Sequence, residues 1–483
     1  MKWLLCMLLP MFFFAHTVWG EEPYGLGLPR DLGILSVPDE AYPDWPLTSA
    51  TLPYQSVDGP RMKRWVKQLS DIALLSQSEG NRYWGRLPGT KYDQMTMALM
   101  ADEFQRLGLE VKLNPFTIPE DWRPTDWQAS YSAADETIQL GSAFPVGKTS
   151  ATPAGGIRAE AVWLGIGAEP DFLGREIEGK AVIIYSLFVP GGRSHSASRR
   201  AKMFYANQRA SELGAAMIIN IMGVPGNGVF NPLGAPAEKY GVPLFTINQD
   251  EGFALRDRLG AGEKINISFE LNVDKPKNVK TASLIAVLPG ASDEEIVLAA
   301  HTDGYFQGAM DNASGLASGL EIARFYAGKD ISERPRTLVF FLFPDHHHGE
   351  YGLKLWESQH DWSKVAMVLT LEHPAQTQLY WYNQDLMTSN AIGAFRWHIQ
   401  GSDRFHSIVL DTLRENGVSL YTQMNNKPKF TRQAPGFHII DHVIYHTTLD
   451  IPELVPAEGL ERSTRAFLSI IDQSNALSLE ELR

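Results

Sequence analysis

Residues 344–352 read PDHHHGEYG, three consecutive histidines directly after the apolar run LVFFLF. Imidazoles at the end of a buried strand can bind a metal, move a proton or hydrogen-bond a loop. Other side chains of the same chemistry recur at similar places. EEIVLAA runs into His301, with Asp303 two residues on; KVAMVLTL runs into Glu372-His373; HVIY runs into His446; and Asp311 lies in AMDNASG, ahead of a helical pattern. Taken singly, each has a plain reading: a histidine at a strand end is usually a hydrogen-bonded loop residue, and an aspartate before a helix is usually a cap. Together they are imidazoles and carboxylates, the ligand types that Zn²⁺ prefers.

These residues can meet only if the strands before them lie side by side and point the same way. From residue 280 the sequence alternates apolar runs (EEIVLAA, RTLVFFLF, KVAMVLTL, FHIIDHVIY) with helical patterns such as SGLASGLEIARFYAG, where Leu316, Leu320 and Ala323 share a face. Fully apolar strands alternating with helices predict an α/β fold, a mainly parallel mixed sheet with helices on both faces. Ligands of such sheets bind beyond the carboxyl ends of the strands, so four strand ends and one helix start would share one edge. Upstream, MKRWVKQLSDIALL has Trp65, Leu69, Ile72 and Leu75 at helical spacing, and QMTMALMADEFQRLGLE is a second helix leading into the strand VKLNPFTI. Residues 131–275 change texture, with short β runs separated by Gly and Pro and one polar helix, and read as an α+β insert. The organisation expected is a signal segment at 1–20, an extended arm at 21–58, a discontinuous α/β domain at 59–130 and 276–483, and the insert at 131–275.

The chain has 483 residues and a net charge of −13, which argues against nucleic acid or an anionic membrane surface as the partner. MKWLLCMLLPMFFFAHTVWG reads as a secretory signal cleaved after Gly20, too short and too interrupted for a membrane anchor. It contains Cys6, the one cysteine, at a position poorly suited to lipid attachment. The mature chain is thus expected in the periplasm or secreted, with no disulfide and no thiolate chemistry.

AAHTDGYFQGAMDNASGLASGLEIAR resembles the H-x-D … G-A-x-D-N-x-S-G signature of the di-zinc exopeptidase family that includes secreted bacterial aminopeptidases and glutamate carboxypeptidases. YHTTLDIPELV resembles that family's closing segment, GRLPGTKYDQMTMALMADEFQRLGLEV its usual N-terminal portion, and the insert a protease-associated domain. The resemblance implies two zinc ions per chain, or one, with water and the scissile carbonyl held between them. It implies that Asp311 bridges both ions, that His301 and Glu372 complete one site, and that His446 with a ligand from the middle strand completes the other. Asp303 would orient His301. Glu372 stands where the family usually has Asp.

The histidine run departs from the family pattern E-E-x-G-x-x-G, whose first Glu is the general base and whose second is a ligand. Without a gap, His346 takes the base position and His347 the ligand position, and Gly349 and Gly352 both match; this register is favoured. With a three-residue insertion Glu350 becomes the ligand and Gly349 falls at the base position. Asp345 and Glu350 are fallback bases, and His348 is expected to be structural. His438, His442 and Tyr445 read as buried core, His373 as facing substrate or preceding the turn at Pro374, and Arg199 and Arg200 as a solvated helix face. The function expected is zinc-dependent hydrolysis of an amide bond, as an exopeptidase of aminopeptidase type acting on a peptide or an N-acyl amino acid. The alternatives are a non-catalytic peptidase-like binding protein and a one-metal enzyme acting on a non-peptide amide. Oligomeric state is not legible.

Overall fold

The run EEIVLAAH forms a strand at the centre of an eight-stranded sheet in the computed structural model, which describes residues 34–35, 37–189, 193–194, 205–223, 227–231, 240–382, 385–424, 434–441 and 444–483. Numbering only this sheet in chain order, its strands are β1 (Glu110–Glu120), β2 (Lys277–Leu288), β3 (Glu295–His301), β4 (Thr337–Phe343), β5 (Val365–Thr370), β6 (Phe395–Gln400), β7 (Leu420–Gln423) and β8 (Gly436–Ile440). Their spatial order is β7-β6-β8-β5-β3-β4-β2-β1, and the central four, β8, β5, β3 and β4, are parallel. These strands are buried on both faces, which is why their sequences are continuous apolar runs with no alternation.

The helices around the sheet are α1 (Gly59–Ser78), α2 (Lys91–Arg106), α3 (Gly315–Ala327), α4 (Tyr351–Gln359), α5 (Asp403–Glu415) and α6 (Ala457–Asn475). One face of the sheet packs on α1, α2, α3, α5 and α6 through a core that includes Met62, Phe104, Leu316, Phe405 and Phe467. The other face carries α4, whose Leu353 and Trp356 pack on Phe341 and Phe343. Side-chain caps start several of these helices: Asp58 accepts from the Arg61 N–H, Thr90 from Asp93 and Ser402 from Phe405.

A second, nine-stranded sheet is built from strands between Arg123 and Asp274, with Trp127, Phe245 and Phe269 in its core. Tyr305 and Phe306, from the loop after β3, are buried in that same cluster, so the second sheet packs directly on the segment between His301 and Asp311.

The spacing of Trp65, Leu69, Ile72 and Leu75 does mark a helix, α1; its buried stripe runs through Met62, Val66, Leu69 and Ala73, while Trp65, Ile72 and Leu75 flank it half-buried, because the stripe follows what the helix packs against, here the turn before α3 and α6. Two expectations need correction. The run FHIIDHVIY is not one strand: β8 stops at Ile440, and His446 arrives from a turn. Asp311 is not at the start of α3 but in the preceding turn Ala309–Ser314, where its backbone is non-helical. The signal segment with Gly20 and Cys6, most of the N-terminal arm's first part, Arg199, Arg200 and His442 lie outside the described residues. No helix among the described residues is long and apolar enough to cross a membrane.

Candidate metal centre

β3 ends on His301, whose ring is fully buried. Its Nδ1 lies 2.9 Å from the backbone oxygen of Asp303. A ring nitrogen facing a carbonyl must carry the hydrogen, which turns Nε2 toward Asp311 Oδ1 at 3.1 Å and Glu372 Oε1 at 3.8 Å. His446 is held the same way, with Nδ1 3.2 Å from the backbone oxygen of Asn231, and its Nε2 is 3.0 Å from Asp311 Oδ2. His347 turns Nδ1 to Asp303 Oδ2 at 2.8 Å, leaving Nε2 3.1 Å from the Nε2 of His446 and 3.8 Å from Asp311 Oδ2. Asp311 therefore stands between two groups of donors, His301 and Glu372 on one side and His347 and His446 on the other.

The charge balance of this cluster fits a cation. Burial, with His347 alongside, pushes His446 down to about 3, so its ring is neutral and its Nε2 is a lone pair. That lone pair faces Asp311 Oδ2, a buried carboxylate oxygen that receives no hydrogen bond from any described residue. Two electron-rich atoms 3.0 Å apart in a dry site repel unless a positive ion lies against both. At the other oxygen, Asp311 Oδ1, burial lowers His301, but Asp303 and Asp311 outweigh it and push it up to about 10, so without an ion that ring carries a proton. Asp311 itself is held well below the usual range, burial being outweighed by His373, His301 and His446.

Three residues that were not among the expected site residues hold these donors in place. Arg86 is buried and donates to the backbone oxygens of Thr302, Gln307 and Gly308, pinning the loop between His301 and Asp311. Burial lowers it to about 10, and Asp311, Asp450 and Asp303 counteract that fall. Asn231 comes from the second sheet's side of the molecule; its N–H donates to the backbone oxygen of His446 at 2.9 Å, and the neighbouring Val229 and Thr448 exchange two more hydrogen bonds. Asp450, the last residue of the quoted YHTTLD, accepts from the N–H groups of Met310 and Asp311 at 2.6 and 3.0 Å. Asp450 and Arg86 both lie in segments that carry the family resemblance; Asn231 had no such signal, because it acts through a backbone partner far away along the chain.

The histidine run splits three ways. His346 packs its ring 4.6 Å from those of His301 and His347, with Nε2 3.9 Å from Glu372 Oε1. His347 is in the donor group with Asp311 and His446 described above. The His348 side chain is buried and turns away to Asp121, 2.7 Å from Oδ1. Glu350 belongs to neither donor group; its Oε1 is 3.1 Å from His346 Nδ1, and its side chain is partly exposed. Asp345 is spent at the start of α4, where it accepts from the N–H groups of Tyr351 and Gly352, and burial pushes it up to about 7. The loop needs its glycines: Gly349 has φ +109°, and a Cβ on Gly352 would stand 2.6 Å from the Phe116 ring.

Asp303 does more than orient His301. Its carboxylate also accepts from the N–H groups of His346 and His347 and from the His347 ring. His438 is buried, as expected for core, and lies 3.3 Å from Glu372 Oε2. Tyr445 stacks on His446 with ring centroids 3.5 Å apart. His373, read as facing substrate or preceding the turn at Pro374, is fully buried, with Nε2 2.8 Å from Asp311 Oδ1.

Residues 283–471 match the profile of peptidase family M28. Aminopeptidase YwaD of Bacillus subtilis is 25% identical over 283 residues, covering 56% of this chain and 53% of that protein, so the chain spans about half the length of the curated relative it matches. Among solved structures, an M28 peptidase precursor from Shewanella amazonensis aligns over 90% of this chain and 99% of its own, with TM-score 0.65 and 19% identity. BSAP, a zinc aminopeptidase from Bacillus subtilis, aligns over 88% and 98%, with TM-score 0.58 and 16% identity. An aminopeptidase from Aneurinibacillus aligns over 88% and 96%, with TM-score 0.56 and 18% identity. At these identities the structural likeness establishes the fold.

Proposed function

We propose, from the match of residues 283–471 to the profile of peptidase family M28, that this chain is a zinc-dependent hydrolase of amide bonds, an exopeptidase of aminopeptidase type. The observation that carries the reading is Asp311, one carboxylate with a separate group of imidazole and carboxylate donors at each oxygen. His301, Asp311 and Glu372 would hold one ion, and Asp311, His347 and His446 the other. When bound, such a pair polarises the scissile carbonyl and makes water acidic enough to attack near neutral pH.

The chain's own residues supply orientation and proton movement. Asp303 fixes which nitrogen of His301 and His347 is available. His346 would take a proton from the attacking water and return it to the leaving amine. Glu350 beside Nδ1 favours the charged imidazolium that this transfer creates, so its role is to position and stabilise His346. We further read the second sheet as a protease-associated insert. The first 20 residues are read as an export signal to the periplasm or medium, which N-terminal sequencing of the exported protein tests: a start at Glu21 is expected, and a retained Met1 would overturn it.

A panel of aminoacyl-nitroanilides, peptides and N-acyl amino acids tests the function. Hydrolysis should be lost on chelation and return with Zn²⁺. A protein that binds zinc yet leaves the whole panel intact would instead be a binding scaffold. Within an active enzyme, His346→Ala should lower kcat by about 10²–10⁴-fold while metal content is unchanged, the range for a positioned acid–base group. Glu350→Ala should cost less, about tenfold, and should also leave the metal in place. Loss of metal on Glu350→Ala would mean that Glu350, rather than His347, is the ligand from this loop.

A further inference from the structure

His373 is one residue past Glu372 and enters none of the roles assigned above, yet its side chain is directed at Asp311. Three observations define its setting. Its Nδ1 is 2.9 Å from the backbone oxygen of Asp441, so that nitrogen carries a hydrogen and donates. Its Nε2 is 2.8 Å from Asp311 Oδ1 and 4.0 Å from Glu372 Oε1. Its backbone has φ +51°, a left-handed conformation that a residue with a side chain rarely adopts, and its N–H donates to Asn312 Oδ1. The anchoring of Nδ1 on a backbone carbonyl repeats what is seen at His301 and His446.

We infer that His373 is a fourth protein ligand of the first metal site, alongside His301, Asp311 and Glu372. The inference rests on the metal-centre reading above. The four donor atoms lie within 4.8 Å of one another. Tetrahedral zinc with arms of about 2.0–2.1 Å has edges of about 3.3–3.4 Å. The separations of 2.8, 3.1, 3.8 and 4.0 Å bracket that edge. The other group, Asp311, His347 and His446, has three protein donors.

The consequence is a division of labour. A site with four protein ligands is closed, as structural zinc sites are, whereas three protein ligands leave a position for water or substrate. The His301 side would then anchor Asp311 and the strand ends, and the His347 side would present the open position next to His346. The added imidazole also offers a reason for the left-handed backbone: a residue directly after Glu372 on an extended path would point away from its neighbour's ligand.

The competing role for His373 is as a hydrogen-bond donor to Asp311, and two substitutions separate the possibilities. His373→Gln keeps a side-chain N–H but is a poor zinc ligand; His373→Cys gains a thiolate ligand. Both are made in a Cys6→Ser background, since Cys6 is the chain's one cysteine. If His373 is a ligand, the Gln variant should lose one ion per chain or weaken its binding by at least about 100-fold, the upper end of the range for removing a residue that merely orients a ligand. The Co²⁺-loaded Cys variant should show a thiolate-to-metal charge-transfer band in the near ultraviolet. If the Gln variant matches wild-type metal content and affinity and the Cys variant shows no band, the assignment is overturned. If the wild type binds no divalent ion at all, the metal-centre reading itself falls, a result distinct from the first.

Discussion

Asp311→Asn should leave a folded chain that retains neither ion and whose kcat/KM is at least about 10³-fold lower. Asp311 is the residue common to both donor groups, with Oδ1 toward His301 and Oδ2 toward His446. The substitution keeps the shape but replaces one oxygen with an NH₂ group, which cannot ligate and turns its hydrogens toward a cation. It also removes the negative charge that both ions would share. Loss of one preorganised electrostatic contact costs about 10²–10³-fold in other hydrolases, and here the group that organises both sites is lost. Elemental analysis after dialysis reads the metal, and circular dichroism reads the fold. Two tightly held ions in the variant would remove Asp311 from the centre. The thermal midpoint adds a further check: an ion that binds only the folded chain raises it, so added Zn²⁺ should stabilise the wild type and not the variant.

Asp303→Asn should weaken metal binding by about 100-fold or more although Asp303 is not in either donor group. Its carboxylate receives the His347 ring hydrogen at 2.8 Å and the His346 and His347 N–H groups at 3.2 and 3.0 Å, and it lies 3.3 Å from His301 Nδ1. Every neighbour named is a donor, so an amide NH₂ placed on either side faces another N–H. Burial works against the charged form, but His347 and His301 outweigh it and hold the carboxyl well below the usual range. Removing an outer partner from one metal-bound histidine costs about 10–100-fold in affinity. Asp303 supports one histidine in each half, so the substitution should sit at or above the top of that range. Titration against a competing chelator measures it; an affinity within twofold of wild type would show that the backbone, rather than Asp303, sets the orientation of both rings.

Comparison of particular residues shows which kinds of information the amino-acid order carries. β3, β4 and β5 are legible as unbroken apolar runs because strands covered on both faces have no polar side to write. His301 and Glu372 are legible because each ends or closely follows such a run, and parallel strands bring their ends together; Asp311 and His446 are legible from the AMDNASG and YHTTLD segments instead. β2 and the strand Arg123–Ala133 are not legible in the sequence: both mix polar and apolar residues, and each pairs along most of its length with a strand more than a hundred residues away in the chain. His346, His347 and His348 are chemically identical and adjacent, so composition cannot rank them. The turn that follows β4 sends the three rings to Glu350, Asp303 and Asp121 respectively.

The amino-acid order alone determined the class of fold and pointed to most of the candidate donors and to the sheet edge near which they gather, since burial imposes a periodic pattern and metal ions demand particular atoms. The tertiary structure decided which nitrogen each histidine offers, that Asp303 serves two rings, that Asn231 from a distant segment clamps His446, and that His373 faces Asp311. The reason is physical: a ring's orientation is set by whatever carbonyl or carboxylate happens to lie behind it, and those partners come from parts of the chain with no fixed spacing from the histidine they hold.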